Sequence, residues 1–287
     1  MSPTIRAAFW MLGAIISFTA MAVAGRELAG TFDTFEIMMW RSAFGLLIVL
    51  ILITATGTRH QIGRQAIGAH FTRNVFHFIG QNLWFFAVTA VPLAQVFALE
   101  FTTPLWVIVL SAFLLGERLT LVRGTAAVMG FIGILIVARP DMAGINSGII
   151  AAASCAIFFA LTYVFTKRLT RTESITAIMF YLTFFQLIFG VITAGYDGDI
   201  AVPTVPDLPW LLLVGICGLL AHFCITKALS LAPAAVVAPV DFARLPIVAI
   251  VAMLVYGEAL DPWVFVGAVI IFAGNYLNIW SETRKTA

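Results

Sequence analysis

The sequence predicts an all-α integral membrane protein with ten transmembrane helices, arranged as two inverted repeats of five helices. Three observations support this fold class: the chain is very apolar, its apolar residues form ten runs long enough to cross a membrane, and its two halves resemble each other. Of the 287 residues, 62% are hydrophobic and only 10% are charged, whereas soluble globular domains contain about 25% charged residues. Such a chain could not cover its surface with polar groups in water.

Ten apolar runs approach the length of about 20 residues that a helix needs to cross a bilayer. The connections between them are short and contain turn and capping residues. The predicted spans are 5–25, 34–55, 69–90, 92–115, 121–138, 147–167, 174–194, 209–230, 234–256 and 261–280.

Basic residues are distributed unequally between the two sides of these spans. With the N-terminus inside, eleven Lys and Arg residues lie on the cytoplasmic side and only Arg26 and Arg139 lie outside. Because basic loops remain in the cytoplasm, the sequence predicts a multi-pass protein of a bacterial-type cytoplasmic (inner) membrane with both termini inside. The N-terminal apolar run has no clear small-residue cleavage site, so it is expected to be a retained span.

The two halves of the chain match each other in one constant alignment, which we call the repeat register. It places 87–119 on 228–260 without a gap, and nine of the 33 positions are identical. The sequence therefore predicts two repeats, 1–140 and 141–287. Five spans per repeat is an odd number, so the second repeat must enter the membrane from the opposite side. The most informative matches are Pro92 with Pro233, Glu100 with Asp241, Phe101 with Phe242, and Gly116-Glu117 with Gly257-Glu258.

Charged residues inside the predicted spans include Arg41, Glu100, Lys227, Asp241 and Arg244, and an ionisable group near the centre of a bilayer costs about 3 kcal/mol or more. Glu100 and Arg41 lie at similar depth toward the outer face, which predicts an ion pair, and Asp241 is similarly matched with Lys227 toward the inner face. These pairs can be structural, can form a gating network, or can contact substrate. Arg244 lies near mid-span and is the candidate to bind a substrate carboxylate.

Polar residues form a stripe on the third span. The residues Asn74, His77, Gln81 and Trp84 recur with helical spacing, which predicts a cavity wall; hydrogen bonding between helices is the alternative. His77 also titrates near neutrality, so proton coupling is open beside a simple hydrogen-bonding role. The candidate substrate-binding residues are His77, Gln81, Trp84, Thr103, Trp106, His222 and Arg244.

Glycines and prolines indicate where the helices end, approach one another or lose a backbone donor. Gly116-Glu117 and Gly257-Glu258 are expected to end helices, with the glycine in the left-handed conformation and the acid capping the helix that follows. Prolines within the spans remove a backbone donor near mid-membrane. These residues are Pro104, Pro239 and Pro246; the glycines expected at close helix contacts are Gly124, Gly130, Gly133, Gly267 and Gly274.

Several functional classes lack their usual motifs. The chain has no HExxH, no GxSxG and no paired intramembrane aspartates, so we expect no enzyme activity. The three cysteines lack metal-ligand spacing, and the sequence predicts neither a metal nor a cofactor. It has no basic cluster with interleaved aromatic residues, so a nucleic-acid partner is not expected. A small-molecule transporter in the lipid bilayer is the favoured class, with a channel as the rival.

Three segments carry a family resemblance: AVPLAQVFALEFTTPLWVIVLSAFLLGERLT, ALSLAPAAVVAPVDFARLPIVAIVAMLVYGEALD and FEIMMWRSAFG. They resemble the drug/metabolite transporter (DMT) superfamily, in particular its EamA-type exporters and, within them, the YddG group of amino-acid exporters. The resemblance implies a central cavity surrounded by the third, fourth, eighth and ninth spans, and export of amino acids, including aromatic or other apolar ones, by alternating access. Export of other metabolites or drugs and a channel-like facilitator remain alternatives. A monomer and a homodimer are both compatible with it.

Overall fold

Every regular element is helical in the part of the chain that the structure describes. The computed structural model describes residues 2–28, 30–91, 93–138, 146–196, 198–257 and 262–286. The α-helices, in chain order, are α1 (Pro3–Leu28), α2 (Thr34–Thr56), α3 (Ile67–Ala90), α4 (Leu93–Glu100), α5 (Thr103–Leu115), α6 (Leu121–Ala138), α7 (Ser147–Leu169), α8 (Ile175–Ala194), α9 (Leu208–Leu231), α10 (Ala234–Val237), α11 (Arg244–Tyr256) and α12 (Trp263–Thr286). Two short 3-10 helices lie at Thr58–Gln61 and Ala238–Ala243.

Eight of the ten predicted spans are confirmed as single helices. They are α1, α2, α3, α6, α7, α8, α9 and α12, each of which begins at or close to its predicted start. Local signals explain several of these starts. Asp33 and Glu36 form a capping box at α2, and the side chains of Asn146 and Ser174 accept hydrogen bonds from the first turns of α7 and α8.

The fourth and ninth spans are broken, so the prediction of continuous helices at 92–115 and 234–256 is wrong. In the fourth span α4 ends at Glu100 and α5 begins at Thr103. In the ninth span a short 3-10 helix separates α10 from α11. Hydropathy identified both spans correctly as apolar, but it gives no information on whether a helix is continuous.

The outer surface of the helical bundle is apolar, and the interior holds buried charged and polar side chains within its apolar core. Within the described residues, seven segments are long and apolar enough to cross a membrane: α1, α2, α7, α8, α9, Ala234–Val255 and α12. The other three spans are α3 with its polar stripe, the broken α4–α5 and the shorter α6. Phe113 and Leu254 are 81% and 73% exposed, whereas Arg73 and Glu100 are 2% and 7% exposed. This distribution is that of a multi-pass membrane protein.

The repeat register extends to the backbone of both halves. It maps α3 onto α9 and α5 onto α11 at both ends, the last residue of α1 onto that of α7, and the first residue of α2 onto that of α8. Four glycines with positive φ also form two related pairs, Gly57 with Gly198 and Gly116 with Gly257, at 66°, 79°, 68° and 66°. The left-handed ends predicted for Gly116 and Gly257 are confirmed. The sequence match at 87–119 therefore understates the structural repeat.

Helices from different halves pack against each other. The most extensive contacts are α1 with α9, α3 with α7, α2 with α8, and α6 with α12. Glycine permits the close approach of α6 and α12, because a Cβ on Gly133 or Gly274 would lie 2.8 Å from a backbone oxygen of the other helix. Gly124, which we also expected at a close contact, has open space at its Cβ position.

Glu117 caps a helix of the other half, which corrects the expectation that it caps the helix that follows. Its Oε1 and Oε2 accept hydrogen bonds from the backbone N–H groups of Ala234 and Ala235, at 2.9 and 3.2 Å. The N-cap residue of α10 is Pro233, whose side chain offers no acceptor, so these N–H groups need an external one. The helix that follows Glu117 is capped instead by Thr120, whose Oγ1 accepts from the N–H of Arg123. Glu258 lies outside the described residues.

Candidate functional site

Pro104 explains where the fourth span breaks. A proline ring within a helix clashes with the carbonyl four residues earlier and cannot donate a backbone hydrogen bond, and here that carbonyl belongs to Glu100. The hydroxyl of Thr103 donates to this oxygen at 2.6 Å and to the carbonyl of Ala156 at 3.3 Å. The break therefore exposes one carbonyl, and a side chain of the next turn satisfies it.

Two prolines act in the same way in the ninth span. Pro239 leaves the carbonyl of Ala235 without its helical donor, and Pro246 does so for Phe242. The amide nitrogen of Asn278, on α12, donates to the carbonyls of Ala235 and Val236 at 3.4 and 3.5 Å. The 3-10 helix between α10 and α11 is thus supported from outside the span.

The two breaks meet around three charged side chains, which we call the acidic centre: Glu100, Asp241 and Arg244. Arg244 Nη2 lies 2.7 Å from Glu100 Oε1 and 3.2 Å from Asp241 Oδ2. Trp84 Nε1 donates to Glu100 Oε2 at 2.6 Å. Two carboxylates thus share one guanidinium, which leaves an excess of one negative charge when both are ionised.

Aromatic rings surround the guanidinium of Arg244. Its Cζ lies 4.9 Å from the ring centroid of Phe101 and 5.4 Å from that of Phe18, within the range of cation–π attraction. The ring of Phe242 packs 6.5 Å from that of Phe101. The acidic centre is therefore charged and enclosed by apolar rings at once, the environment in which electrostatic contacts are strongest.

Two buried polar atoms of the acidic centre have no hydrogen-bond partner among the described residues. They are Asp241 Oδ1, an acceptor, and Arg244 Nε, a donor. Buried polar groups in folded proteins are nearly always paired. An unpaired acceptor and an unpaired donor at one place are consistent with a site that receives a polar ligand.

A second polar group, which we call the basic pocket, lies between α2, α3, α8 and α9. Its members are Arg41, Arg73, Asn74, His77, Gln81, Gln186 and His222, all buried. With its amide oriented to satisfy its neighbours, Gln81 accepts from both terminal nitrogens of Arg41 at 3.0 Å and donates to Gln186 at 3.3 Å. Gln186 in turn donates to the backbone carbonyl of Asn74 at 3.0 Å.

Arg73 is held by neutral groups in the same network. Its Nε donates to Thr166 Oγ1 at 3.1 Å and its Nη1 donates to Asn74 Oδ1 at 3.0 Å. His77 and His222 contact each other edge to face with ring centroids 4.7 Å apart, and both ring nitrogens of His77 are buried without a partner in the described part of the chain. One histidine comes from each half of the chain.

The buried charges have different partners in the structure from those predicted by matching their depths in the membrane. The predicted Glu100–Arg41 pair is wrong, because Glu100 binds Arg244 and Trp84 while Arg41 binds Gln81. The predicted Asp241–Lys227 pair is wrong as well, because Asp241 binds Arg244. Depth along the membrane normal is only one coordinate, and lateral separation in the bundle decides which charges meet.

Five of the other predicted site residues lie in one of the two groups. Trp84 and Thr103 lie at the acidic centre, and His77, Gln81 and His222 lie in the basic pocket. Trp106 is 40% exposed, and no ring contact or hydrogen bond among the described residues joins it to either group. Sequence reasoning missed Gln186, although a glutamine in the apolar stretch TFFQLIF was a visible signal, and it counted Arg73 only as a cytoplasmic charge.

Membrane transporters commonly contain transmembrane helices that are interrupted at repeat-related positions around buried charges. The model of the EamA-like transporter family matches the chain twice, at residues 5–139 and 146–280. The chain therefore belongs to this family, within the DMT superfamily predicted from its sequence.

Similar proteins are bacterial transporters with several different names. An S-adenosylmethionine uptake transporter of Rickettsia bellii is 26% identical over 96% of this chain and 94% of its own length. A riboflavin transporter of Brucella anthropi is 30% identical over 96% of this chain and its full length. The pseudopaline exporter CntI of Pseudomonas aeruginosa is 26% identical over 90% of both chains.

The fold also matches a solved crystal structure with a TM-score of 0.82, at 18% identity, over 98% of this chain and 99% of that chain. At that identity the likeness concerns the fold alone.

Proposed function

We propose that the protein is an alternating-access carrier for small amino compounds, most of all amino acids, and that its substrate binds where the two broken spans meet. The observation that carries this proposal is the acidic centre, where Glu100, Asp241 and Arg244 converge with one buried donor and one buried acceptor left unpaired by the described residues. The excess negative charge and the rings of Phe18 and Phe101 favour a ligand with an ammonium group.

The two repeats, 1–140 and 141–287, are proposed to be inverted. The repeat register exchanges α1 with α7 and α3 with α9, so it converts the α1–α9 contact into the α7–α3 contact. It also exchanges the partners within α2–α8 and within α6–α12. This pattern is what a twofold axis between the halves requires, and five spans per half orient that axis in the membrane plane.

Inverted repeats give two conformations of similar energy that open the site to opposite faces. The contacts that join the halves must then differ between these conformations. Glu117 bonded to Ala234 and Ala235 lies on the side predicted to be cytoplasmic, and Lys167 donates nearby to the carbonyls of Leu229 and Ala232, at 2.6 and 2.9 Å. We propose that these bonds hold the cytoplasmic side closed and separate when it opens.

Both termini are proposed to be cytoplasmic in a bacterial inner membrane, following the basic-residue asymmetry. His60 lies on the predicted inner side and Val202, 81% exposed, lies on the predicted outer side. After the buried Cys155, Cys217 and Cys224 are replaced, Val202→Cys should react with an impermeant thiol reagent in intact cells, and His60→Cys should react only after lysis. The reverse labelling would overturn this orientation.

Counterflow in proteoliposomes tests the carrier. Vesicles loaded with unlabelled L-phenylalanine should accumulate labelled L-phenylalanine transiently above equilibrium, with a saturable rate. Riboflavin and S-adenosylmethionine should be tested in the same way, because similar proteins are named as their transporters. Uptake of these two compounds without uptake of any amino acid would refute the amino-acid substrate. Flux that is linear in concentration without overshoot for every compound would favour a channel-like facilitator and refute the carrier.

The same vesicles address coupling, direction and assembly. If His77 couples transport to protons, a pH gradient should drive accumulation in the wild type and not in His77→Gln. Export, which the family resemblance implies, requires that the gradient present in cells drives substrate outward. Crosslinking in the membrane distinguishes a monomer from a homodimer.

A further inference from the structure

We propose that the basic pocket binds the anionic group of the transported substrate, a carboxylate or a phosphate. This inference rests on the carrier function proposed above and describes a second part of the same site. Its basis is a pair of buried guanidinium groups that no carboxylate among the described residues neutralises. The substrate would then carry both a positive and a negative group.

Charge is uncompensated in the basic pocket. Arg41 and Arg73 are 9% and 2% exposed. The arginine–carboxylate pairs among the described residues are Arg123–Glu282, Arg244–Glu100 and Arg244–Asp241, and neither Arg41 nor Arg73 takes part in one. The oxygens that accept their hydrogen bonds belong to amide and hydroxyl groups. Buried charges in folded proteins are normally paired, so two unpaired cations in one pocket call for an anion from outside the chain.

Arg244 provides the internal comparison for this inference. Its guanidinium lies within 3.2 Å of two carboxylates, so its charge is already neutralised and a substrate carboxylate would have to displace one of them. In the described part of the chain, Arg41 is bound only by Gln81 and, at 4.0 Å, by the sulfur of Met21. A substrate anion would therefore gain more electrostatic stabilisation at Arg41 than at Arg244. The sequence had indicated Arg244 because it lies near the middle of its span.

The pocket provides space and further donors beside Arg41. A cavity of about 20 Å³, enough for one water molecule, is lined by Arg41, Ser42, Gln186 and His222, among others. Gly218 borders it, and a Cβ there would lie 3.0 Å from Arg41 Cδ. A carboxylate would fit once the helices separate slightly, as they must when the two halves rock.

Both polar groups are contacted by side chains from one turn of α3. Gln81 binds Arg41 and Trp84 binds Glu100, and these two residues of α3 are three positions apart, an axial rise of about 4.5 Å. One turn of α3 therefore contacts a positive region and a negative region. This polarity matches a zwitterion such as an α-amino acid.

A binding measurement without transport tests the inference. The purified protein in nanodiscs is titrated at constant ionic strength with sodium benzoate, phenyl phosphate or the uncharged benzamide, and the thermal unfolding midpoint is recorded. At least one anion should raise the midpoint saturably and benzamide should not. Arg41→Gln should weaken anion binding about tenfold or more, since a charge-assisted bond is lost, and Arg41→Lys should restore part of it. Arg168→Gln removes an exposed cation outside the pocket and should leave binding unchanged.

A ligand-free measurement distinguishes a binding role from a structural one. If Arg41 awaits an anion, Arg41→Gln should have an unfolding midpoint equal to or above that of the wild type, because an unneutralised buried charge has been removed. The inference is overturned if neither anion shifts the midpoint, if benzamide shifts it equally, or if the shift survives in both Arg41→Gln and Arg73→Gln. Anion binding without counterflow would refute the carrier and leave the anion site intact.

Discussion

The two broken spans share one backbone plan and differ in their side chains. The repeat register maps the first residue of α5, Thr103, onto the first residue of α11, Arg244, and maps Glu100 onto Asp241. Both spans thus place an acid three residues before the start of their second α-helix. At the restart, however, Thr103 satisfies two backbone carbonyls, whereas Arg244 binds both acids.

This difference shows how a nearly symmetric scaffold acquires an asymmetric site. Two identical half-sites would place two acids at the centre with no cation, or two cations with them. One guanidinium between two carboxylates leaves a net charge and joins the two breaks through the bond from Arg244 to Glu100. The backbone is repeated, and the chemistry resides in the positions where the repeats differ.

The largest expected effect comes from removing the shared cation. Arg244→Gln leaves Glu100 and Asp241 buried without a counter-charge, which typically costs about 3–5 kcal/mol. We expect a large loss of stability in mixed-micelle unfolding. The double variant Arg244→Gln/Asp241→Asn should recover part of it, because Trp84 still donates to Glu100. An Arg244→Gln protein as stable as the wild type would mean that the two carboxylates do not depend on Arg244.

Much of the fold could be predicted because its signals are local. The spans were recognised by their hydropathy. The repeat was recognised by the sequence match around Pro92 and Pro233, and the helix boundaries in both halves follow the same register. The breaks could not be located in the same way. Pro104 indicated a free carbonyl, but the end of α4 at Glu100 also depends on Thr103, whose hydroxyl bonds that carbonyl.

The partners of the buried charges depend on which helices are neighbours, and one sequence does not contain that information. Glu100 and Arg41 are matched in depth, yet Arg244 from the other half lies against Glu100. The polar stripe of α3 was visible in the sequence, and its division between two opposite charge environments was not. The substrate contacts of His77 and Gln81 remain predictions.

A smaller loss of stability is expected at Gly130, where a residue of the ninth-span break packs against a glycine. A Cβ on Gly130 would clash with the ring of Phe242, whereas the residue at the repeat-related position in the second half is Ile271. Gly130→Ala should therefore force Phe242 to move and cost about 1–3 kcal/mol. Gly124→Ala, with open space on the same helix, is the matched control. Equal unfolding midpoints for the two variants would show that the break tolerates displacement of Phe242.

The cap between the halves should contribute less. Glu117→Ala removes both acceptors at the start of α10, and loss of a helix cap costs about 1 kcal/mol. Glu27→Ala, an exposed acid on α1, is the control. The variant Glu258→Ala makes the same change at the repeat-related position. A similar loss of stability there would mean that both broken spans are capped from the opposite half. An unchanged unfolding midpoint would mean that only the ninth span is capped in this way. Full stability in Glu117→Ala would contradict the cap itself.

The smallest effect on transport is expected at Thr103, the counterpart of Arg244. Its hydroxyl is used by the carbonyls of Glu100 and Ala156, so Thr103→Val leaves these carbonyls without that donor and should cost about 1 kcal/mol of stability. Because the hydroxyl proton is already used within the protein, the apparent KM for counterflow should change by no more than about twofold. If Thr103→Val abolishes counterflow while its unfolding midpoint stays near that of the wild type, Thr103 contacts the substrate as the sequence predicted. The two breaks would then contribute comparably to binding, and the asymmetry between Thr103 and Arg244 would be one of charge alone.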